Sequence, residues 1–210
     1  MIAIINYGIG NLASIQNMFK KAAVDATISN DRNEIATASK IILPGIGHFD
    51  HCMKEFNASG LRPLIEKRVL EDRVPVLGVC VGCQMLMQSS EEGSETGLGW
   101  IEGRVVRFRS SAMPPECKIP HMSWTDVHPR KDHLLYAGIA DPRFYFVHSY
   151  HLEADPEFVT ATADYGYRFV ASIGLDNIQG VQFHPEKSQD VGLRMLKNFA
   201  TDEHGFHKQI

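Results

Sequence analysis

The sequence predicts an α/β protein: a central, mainly parallel (mixed) sheet with helices on both faces and an antiparallel extension in its second half. Three observations carry this. Short continuous apolar runs alternate with helix-period segments through residue 90, the pattern of parallel strands buried on both faces. Beyond residue 102, strand-like segments follow one another with little helix between them. No internal repeat, low-complexity tract or Pro/Gly/Ser linker divides the chain, so residues 1–201 read as a single domain and residues 202–210 as a loosely ordered tail.

The elements follow in order. IAIINYG is a buried-strand run closed by glycine, and in NLASIQNMFKKA the residues Leu12, Ile15, Met18 and Phe19 fall at helical spacing. DATIS repeats the strand signal, DRNEIATA is a short helix opened by Asp31, and KIILPGIG is again a strand ending in glycine. HFDHCMKEF and LRPLIEKRVLED read as helices, and VPVLGV is the next apolar run. GRVVRFR, FYFVHSYHLE, EFVTATAD, RFVASIG and NIQGVQF then read as strands, and VGLRMLKNF returns to helical period. KIPHMSW, between the first two of these strands, reads as a loop.

Composition bounds the function. A hydrophobic content of 44% with 22% charged residues is ordinary for a globular chain. A net charge of -4 supplies no electrostatic footprint for nucleic acid or an anionic membrane surface. No apolar run approaches the ~18 residues needed to span a bilayer. MIAIINYGIG lacks the basic start and cleavage site of a signal peptide, so the expected location is cytoplasmic. In that reducing compartment the four cysteines, Cys52, Cys80, Cys83 and Cys117, are expected to remain thiols.

The chemistry concentrates in VPVLGVCVGCQMLMQSS, residues 74–90. Ligands of parallel sheets bind at the carboxyl ends of the strands, and here VLGV ends a strand while VGCQMLMQ begins a helix. Cys80 falls on the sharp turn between them, flanked by Gly78 and Gly82, as in a nucleophile elbow with sulfur in place of a serine oxygen. A helix start lowers a thiol pKa and presents backbone N–H groups to a developing oxyanion. Three other readings of CVGC compete: a redox pair, half of a zinc site, and two thiols packed as small hydrophobes. Around it there is no thioredoxin-sized βαβ framework and no second CxxC, and the remaining pairs, Cys117 with His121 and His148 with His151, are scattered.

A cysteine nucleophile needs a histidine base and commonly a carboxylate to orient it. Of the ten histidines, His184 stands as Cys80 does, directly after an apolar strand, in QGVQFHPEKSQ. Pro185 discourages helix there, and Glu186 lies two residues on.

These segments together resemble the class I (triad) glutamine amidotransferases. The G-x-C-x-G-x-Q motif of that family stands here as Gly78 to Gln84, and its F-H-P-E as Phe183 to Glu186. NYGIGNLASI, LPGIGHF, KIPHMSW, FYFVHSY and GVQFHPEKSQ, in order along nearly the whole chain, are similar to the glutaminase subunits of imidazole glycerol phosphate synthases. The resemblance implies that Cys80 attacks the side-chain amide of L-glutamine, that His184 moves the proton and that Glu186 holds the imidazole. It implies an oxyanion site from Val81 N–H and the Gly45-Ile46 peptide. It also implies substrate contacts at Gly47, Gln84, His148, Ser149 and Tyr150, with no metal and no cofactor. Cys83 is expected to be a bystander, at a position where related sequences carry methionine.

The chain leaves no room for a domain that consumes ammonia, so the resemblance implies a heterodimer. The partner would be a (β/α)8-barrel synthase subunit that forms imidazole glycerol phosphate and an aminoimidazole carboxamide ribonucleotide in histidine biosynthesis. Asn11, Met122 and Trp124 are expected to face that partner, and Arg104, Arg107 and Arg109 to solvate a strand face. One departure stands out: the usual PHMGWN of the family is PHMSWT here, with Ser123 and Thr125. It leaves open a paralogous ammonia supplier for amination of a surface-polysaccharide sugar. A free-standing γ-glutamyl cysteine hydrolase and a non-catalytic binding module are further alternatives.

Overall fold

In the computed structural model, which describes residues 1–202, the four apolar runs of the first half become strands β1 (Ile2–Ile5), β2 (Ala26–Ser29), β3 (Lys40–Gly45) and β4 (Val76–Cys80). Between them lie α1 (Leu12–Lys21), α2 (Arg32–Thr37), α3 (Phe49–Ala58) and α4 (Arg62–Glu66), and α5 (Val81–Met85) follows β4 at once. Every residue of β1, β3 and β4 is buried, as strands covered on both faces must be. Asp31 opens α2 as expected: its carboxylate accepts from the backbone N–H groups of Asn33 at 2.7 Å and Glu34 at 3.1 Å.

The second half supplies β5 (Ser89–Ser90), β6 (Arg104–Arg107), β7 (His121–Pro129), β8 (Arg143–His148), β9 (Tyr150–Glu153), β10 (Val159–Tyr165), β11 (Tyr167–Leu175) and β12 (Ile178–Val181), then α6 (Gln189–Thr201). The strand order is β2-β1-β3-β4-β12-β11-β10-β7-β8, with β5, β6 and β9 branching from β11. From β2 to β12 neighbours are parallel; from β12 to β8 they are antiparallel. This is the mixed sheet that the change of pattern after residue 90 predicts. Helix α1 packs on α6, whereas α2 packs on α4 and α3 on α5, so the helices form separate layers.

Two expectations are corrected. KIPHMSW is not a loop, because β7 begins at His121 and pairs with β8 from His121↔His148 to Asp126↔Arg143. Polar and apolar residues are mixed on both of its faces, so neither a core period nor a turn signal marks it. The elbow helix is also shorter than VGCQMLMQ suggests and ends at Met85, where Leu98, Trp100 and Ile101 take over the carbonyls of Met85 and Leu86. The tail expected at 202–210 lies outside the described residues apart from Asp202. Among the described residues no helix is long and apolar enough to cross a membrane.

The antiparallel half is joined to the parallel half through aromatic packing under β12. Phe183 stacks on Phe144 of β8 with ring centroids 4.0 Å apart and meets Phe146 edge-on at 5.5 Å. All three rings are fully buried, and each contributes roughly 2–3 kcal/mol of transfer free energy. They fix the residue that follows, His184, at the same carboxyl edge of the sheet where β4 ends.

Candidate active site

The elbow is built by backbone packed on backbone. Gly45 at the exit of β3 stands opposite Cys80 in the β3–β4 ladder. A Cβ on Gly82 would lie 2.0 Å from the Leu43 carbonyl oxygen, and one on Gly45 would lie 2.4 Å from the Gly82 nitrogen. Only hydrogen at both positions lets the start of α5 press onto β3. Cys80 itself adopts φ 55 and ψ -114, a backbone that a residue with a side chain rarely takes, and this turn aims its thiol out of the sheet edge.

The exit of β3 is pinned as well. Tyr7 O–H donates to the Pro44 carbonyl at 2.5 Å, and the Cys52 thiol donates to the Ile46 carbonyl at 3.2 Å. Burial pushes the Cys52 thiol up to about 11, so at neutral pH it keeps its proton for that bond.

On the other side, β12 lies beside β4, with Val181 opposite Val79, and delivers His184 next to the elbow. The His184 N–H donates to the Tyr145 carbonyl at 2.9 Å. Ser188 Oγ donates to the His184 carbonyl at 2.6 Å, closing the turn, and accepts from the Tyr145 N–H at 3.0 Å, so the turn is bolted to β8 at two points. His184 Nδ1–H donates to Glu186 Oε1 at 2.8 Å, and the ring lines the same pocket as the Cys80 thiol. The side chains of His184 and Glu186 are 3% and 1% exposed, so the pair lies almost out of water.

Burial opposes charge on His184, but its interactions with Cys80 and then Glu186 outweigh it and raise its pKa to about 10. The ring therefore holds its proton at neutral pH. Cys83 behaves differently: complete burial raises its thiol well above the ordinary range, and its sulfur packs against Gly180, where a Cβ would lie 2.5 Å away. Its chemistry is that of a small apolar group.

Beside Cys80 opens a pocket of about 310 Å³, at the small end of ligand sites and sized for an amino acid. Cys80, Val81, His184 and Ile46 line it, as do all five residues expected at substrate: Gly47, Gln84, His148, Ser149 and Tyr150. Gly45 lies behind this surface, against the elbow. Gln84 Nε2 donates to the Tyr150 carbonyl at 3.2 Å and to Gln182 Oε1 at 3.0 Å, which leaves its own carbonyl oxygen for the pocket.

Sequence reasoning missed Glu92, Val147 and Lys187, which also line the pocket. Glu92 accepts from the Phe49 N–H at 2.8 Å, so the start of α3 holds this carboxylate in place. In the run SSEEGSE nothing local separates it from its solvated neighbours. The expected partner-facing residues divide. Met122 is 59% exposed on β7, and Trp124, on the same face, meets the Tyr145 ring edge-on at 6.1 Å. Asn11 instead turns its amide inward and donates to Glu186 Oε1 at 3.3 Å. Of the three arginines, Arg104 pairs with Glu153 and Arg109 lies over the Tyr167 ring at 5.4 Å.

A thiol, an imidazole and a carboxylate gathered at the carboxyl edge of a mixed sheet are the arrangement expected of a triad amidohydrolase. The chain belongs to the class-I glutamine amidotransferases: the family described as glutamine amidotransferase class-I matches it over residues 3–202. It is 46% identical over 202 residues to the imidazole glycerol phosphate synthase subunit HisH of Bdellovibrio bacteriovorus, covering 95% of this chain and 99% of that relative. It is 45% identical to the subunit HisH 2 of Pseudomonas aeruginosa, covering 95% and 98%. Among solved structures, a crystal structure of a glutamine amidotransferase superposes with a TM-score of 0.73 at 18% identity, covering 95% of this chain and 99% of that one, a likeness of fold.

Proposed function

We propose that this chain is the glutaminase subunit of an imidazole glycerol phosphate synthase, hydrolysing L-glutamine and passing ammonia to a (β/α)8-barrel synthase subunit in histidine biosynthesis. The observation that carries the reading is the meeting of Cys80 with the hydrogen-bonded His184–Glu186 pair at an amino-acid-sized pocket. A cytosolic location suits four unpaired thiols.

The Cys80 thiolate attacks the side-chain carbonyl carbon of glutamine, and the carbonyl electrons move onto oxygen. The N–H groups of Val81 and Ile46 receive that oxyanion. His184, already protonated, gives its proton to the leaving nitrogen, and ammonia departs from a γ-glutamyl thioester. The now neutral ring takes a proton from water, which attacks the thioester and expels the Cys80 thiolate with glutamate. Glu186 keeps Nδ1–H fixed throughout, so Nε2 is the nitrogen that exchanges protons. Glu92 is the carboxylate of the pocket and suits the α-ammonium of the substrate, with the Gln84 carbonyl oxygen beside it.

Free ammonia would be protonated and lost in water, which favours direct transfer within a complex. The exposed Met122 on β7, a strand pinned through β8 to the His184 turn, supports docking of the partner there. The test is glutamate release from glutamine by the purified chain, alone and with the barrel-type subunit carrying its nucleotide ligand, with Cys80→Ser as blank. Release that depends on the liganded partner and disappears in the blank is expected; equal release without partner would contradict the coupled-subunit reading. Ser123 and Thr125 favour a second reading, a sugar-aminating partner, and activation by that partner instead would select it.

A further inference from the structure

Strand β7 carries Met122 and Trp124 on one face and His121, Ser123 and Thr125 on the other. His121 stands opposite His148 across the β7–β8 ladder, which brings His121 Nδ1 to 3.0 Å from His148 Nε2. The carbonyl at one end sets the order of the protons. His148 Nδ1 lies 2.7 Å from the Tyr150 oxygen, which only accepts, so Nδ1 carries the hydrogen. Burial keeps both rings neutral, driving His148 well below its ordinary range and His121 to about 4. His148 Nε2 is therefore bare and accepts from His121 Nδ1–H, which leaves His121 Nε2 bare in turn.

Two hydroxyls serve that last acceptor: Thr125 Oγ1 at 2.8 Å and Ser123 Oγ at 3.0 Å, themselves 3.0 Å apart. At the far end the Tyr150 carbonyl also takes the Gln84 amide at 3.2 Å, one of the two bonds, with that to Gln182 Oε1, that set which way Gln84 presents its oxygen to the pocket. The line thus runs from hydroxyls on β7, through two buried rings, to two groups of the glutamine pocket.

We infer that Ser123 and Thr125 are positioning residues for the glutamine pocket, acting through His121 and His148 on the Tyr150 carbonyl and Gln84. The inference rests on the glutaminase reading of the site. It places their effect on substrate capture, because Tyr150 and Gln84 sit at the pocket wall and not in the line of proton transfer.

The experiment is steady-state glutamine hydrolysis by the complex with the liganded synthase subunit, paired with long-range proton–nitrogen spectra of the histidine rings. Ser123→Ala combined with Thr125→Val strips both hydroxyls at nearly constant volume and is expected to raise KM for glutamine about tenfold, with kcat changed less than about twofold. Thr125→Ser, which keeps a donor, is expected to hold KM near the wild-type value. In the wild type both His121 and His148 should be Nδ1–H tautomers. Unchanged KM in the double variant, loss of kcat and thermal stability at constant KM, or an Nε2–H tautomer at either ring in the wild type would each overturn the inference. If the double variant does not fold, the single variants and the wild-type tautomers decide in the same way. A wild-type complex that fails to hydrolyse glutamine removes the glutaminase reading and this inference together, whereas an active wild type with any of the adverse results removes this inference alone.

Discussion

Around Cys80 the reacting atom is placed by main chain packed on main chain, whereas around His184 it is placed by hydrogen bonds between polar groups. On the parallel side, Gly45, Gly78 and Gly82 let α5 sit against β3 with no room for a methyl group, and the Cys80 backbone is held in a rare conformation. Around His184, Ser188 and Tyr145 fix the backbone of the turn and Glu186, steadied by Asn11, holds the imidazole, through bonds of 2.6 to 3.3 Å. Steric placement ties geometry to folding, so damage at the elbow should appear as lost stability. Hydrogen-bond placement separates the two, so damage around His184 should appear as lost rate in a folded protein.

The largest effect that tests this contrast is Cys80→Ala, expected to lower glutaminase activity by about a thousandfold or more while the protein stays folded, read by turnover and circular dichroism. Gly82→Ala is next and opposite in kind. Its new methyl would meet backbone at 2.0 Å, and thermal unfolding should show a loss of about 4 kcal/mol or failure to fold. Wild-type melting behaviour in that variant would remove the steric account of the elbow.

Glu186→Gln keeps the shape but removes the charge, and kcat should fall about a hundredfold or more at nearly unchanged melting temperature. The same substitution and Cys80→Ala should both lower the titration midpoint of His184 followed by NMR, since Cys80 and Glu186 are what raise it to about 10. The sign is that of a raised pKa. The stabilisation from this imidazolium is present in full below the ordinary value of 6.5 and is lost as pH rises towards 10. Asn11→Ala removes one donor at 3.3 Å from Glu186 and should cost about fivefold in kcat. Asp31→Ala, far from the site, should lower stability by about 1 kcal/mol through its cap on α2 and leave KM and kcat alone.

The same contrast explains what could be seen in the sequence. The elbow was legible because its signal is local: an apolar strand run over 74–79, followed at once by a cysteine between two glycines, 78–82. His184 and Glu186 were legible for the same reason. The supports of the imidazole were not, since Asn11 and Glu186 are 175 residues apart and meet only through the fold. The His121–His148 contact depends on the register of β7 against β8, and β7 has too many polar residues on both faces to announce itself as a strand. Glu92 was hidden within a run of acidic and hydroxyl residues that looks like any solvated loop, and only the start of α3 singles it out.

The most direct test of the central claim is to trap the acyl intermediate: mix the complex with L-glutamine, quench in acid within the first turnover and map the modified peptide by mass spectrometry. The account predicts a γ-glutamyl thioester on Cys80 that is lost in Cys80→Ser. An adduct on Cys83 or Cys52, or glutamate formed with none on Cys80, would contradict it.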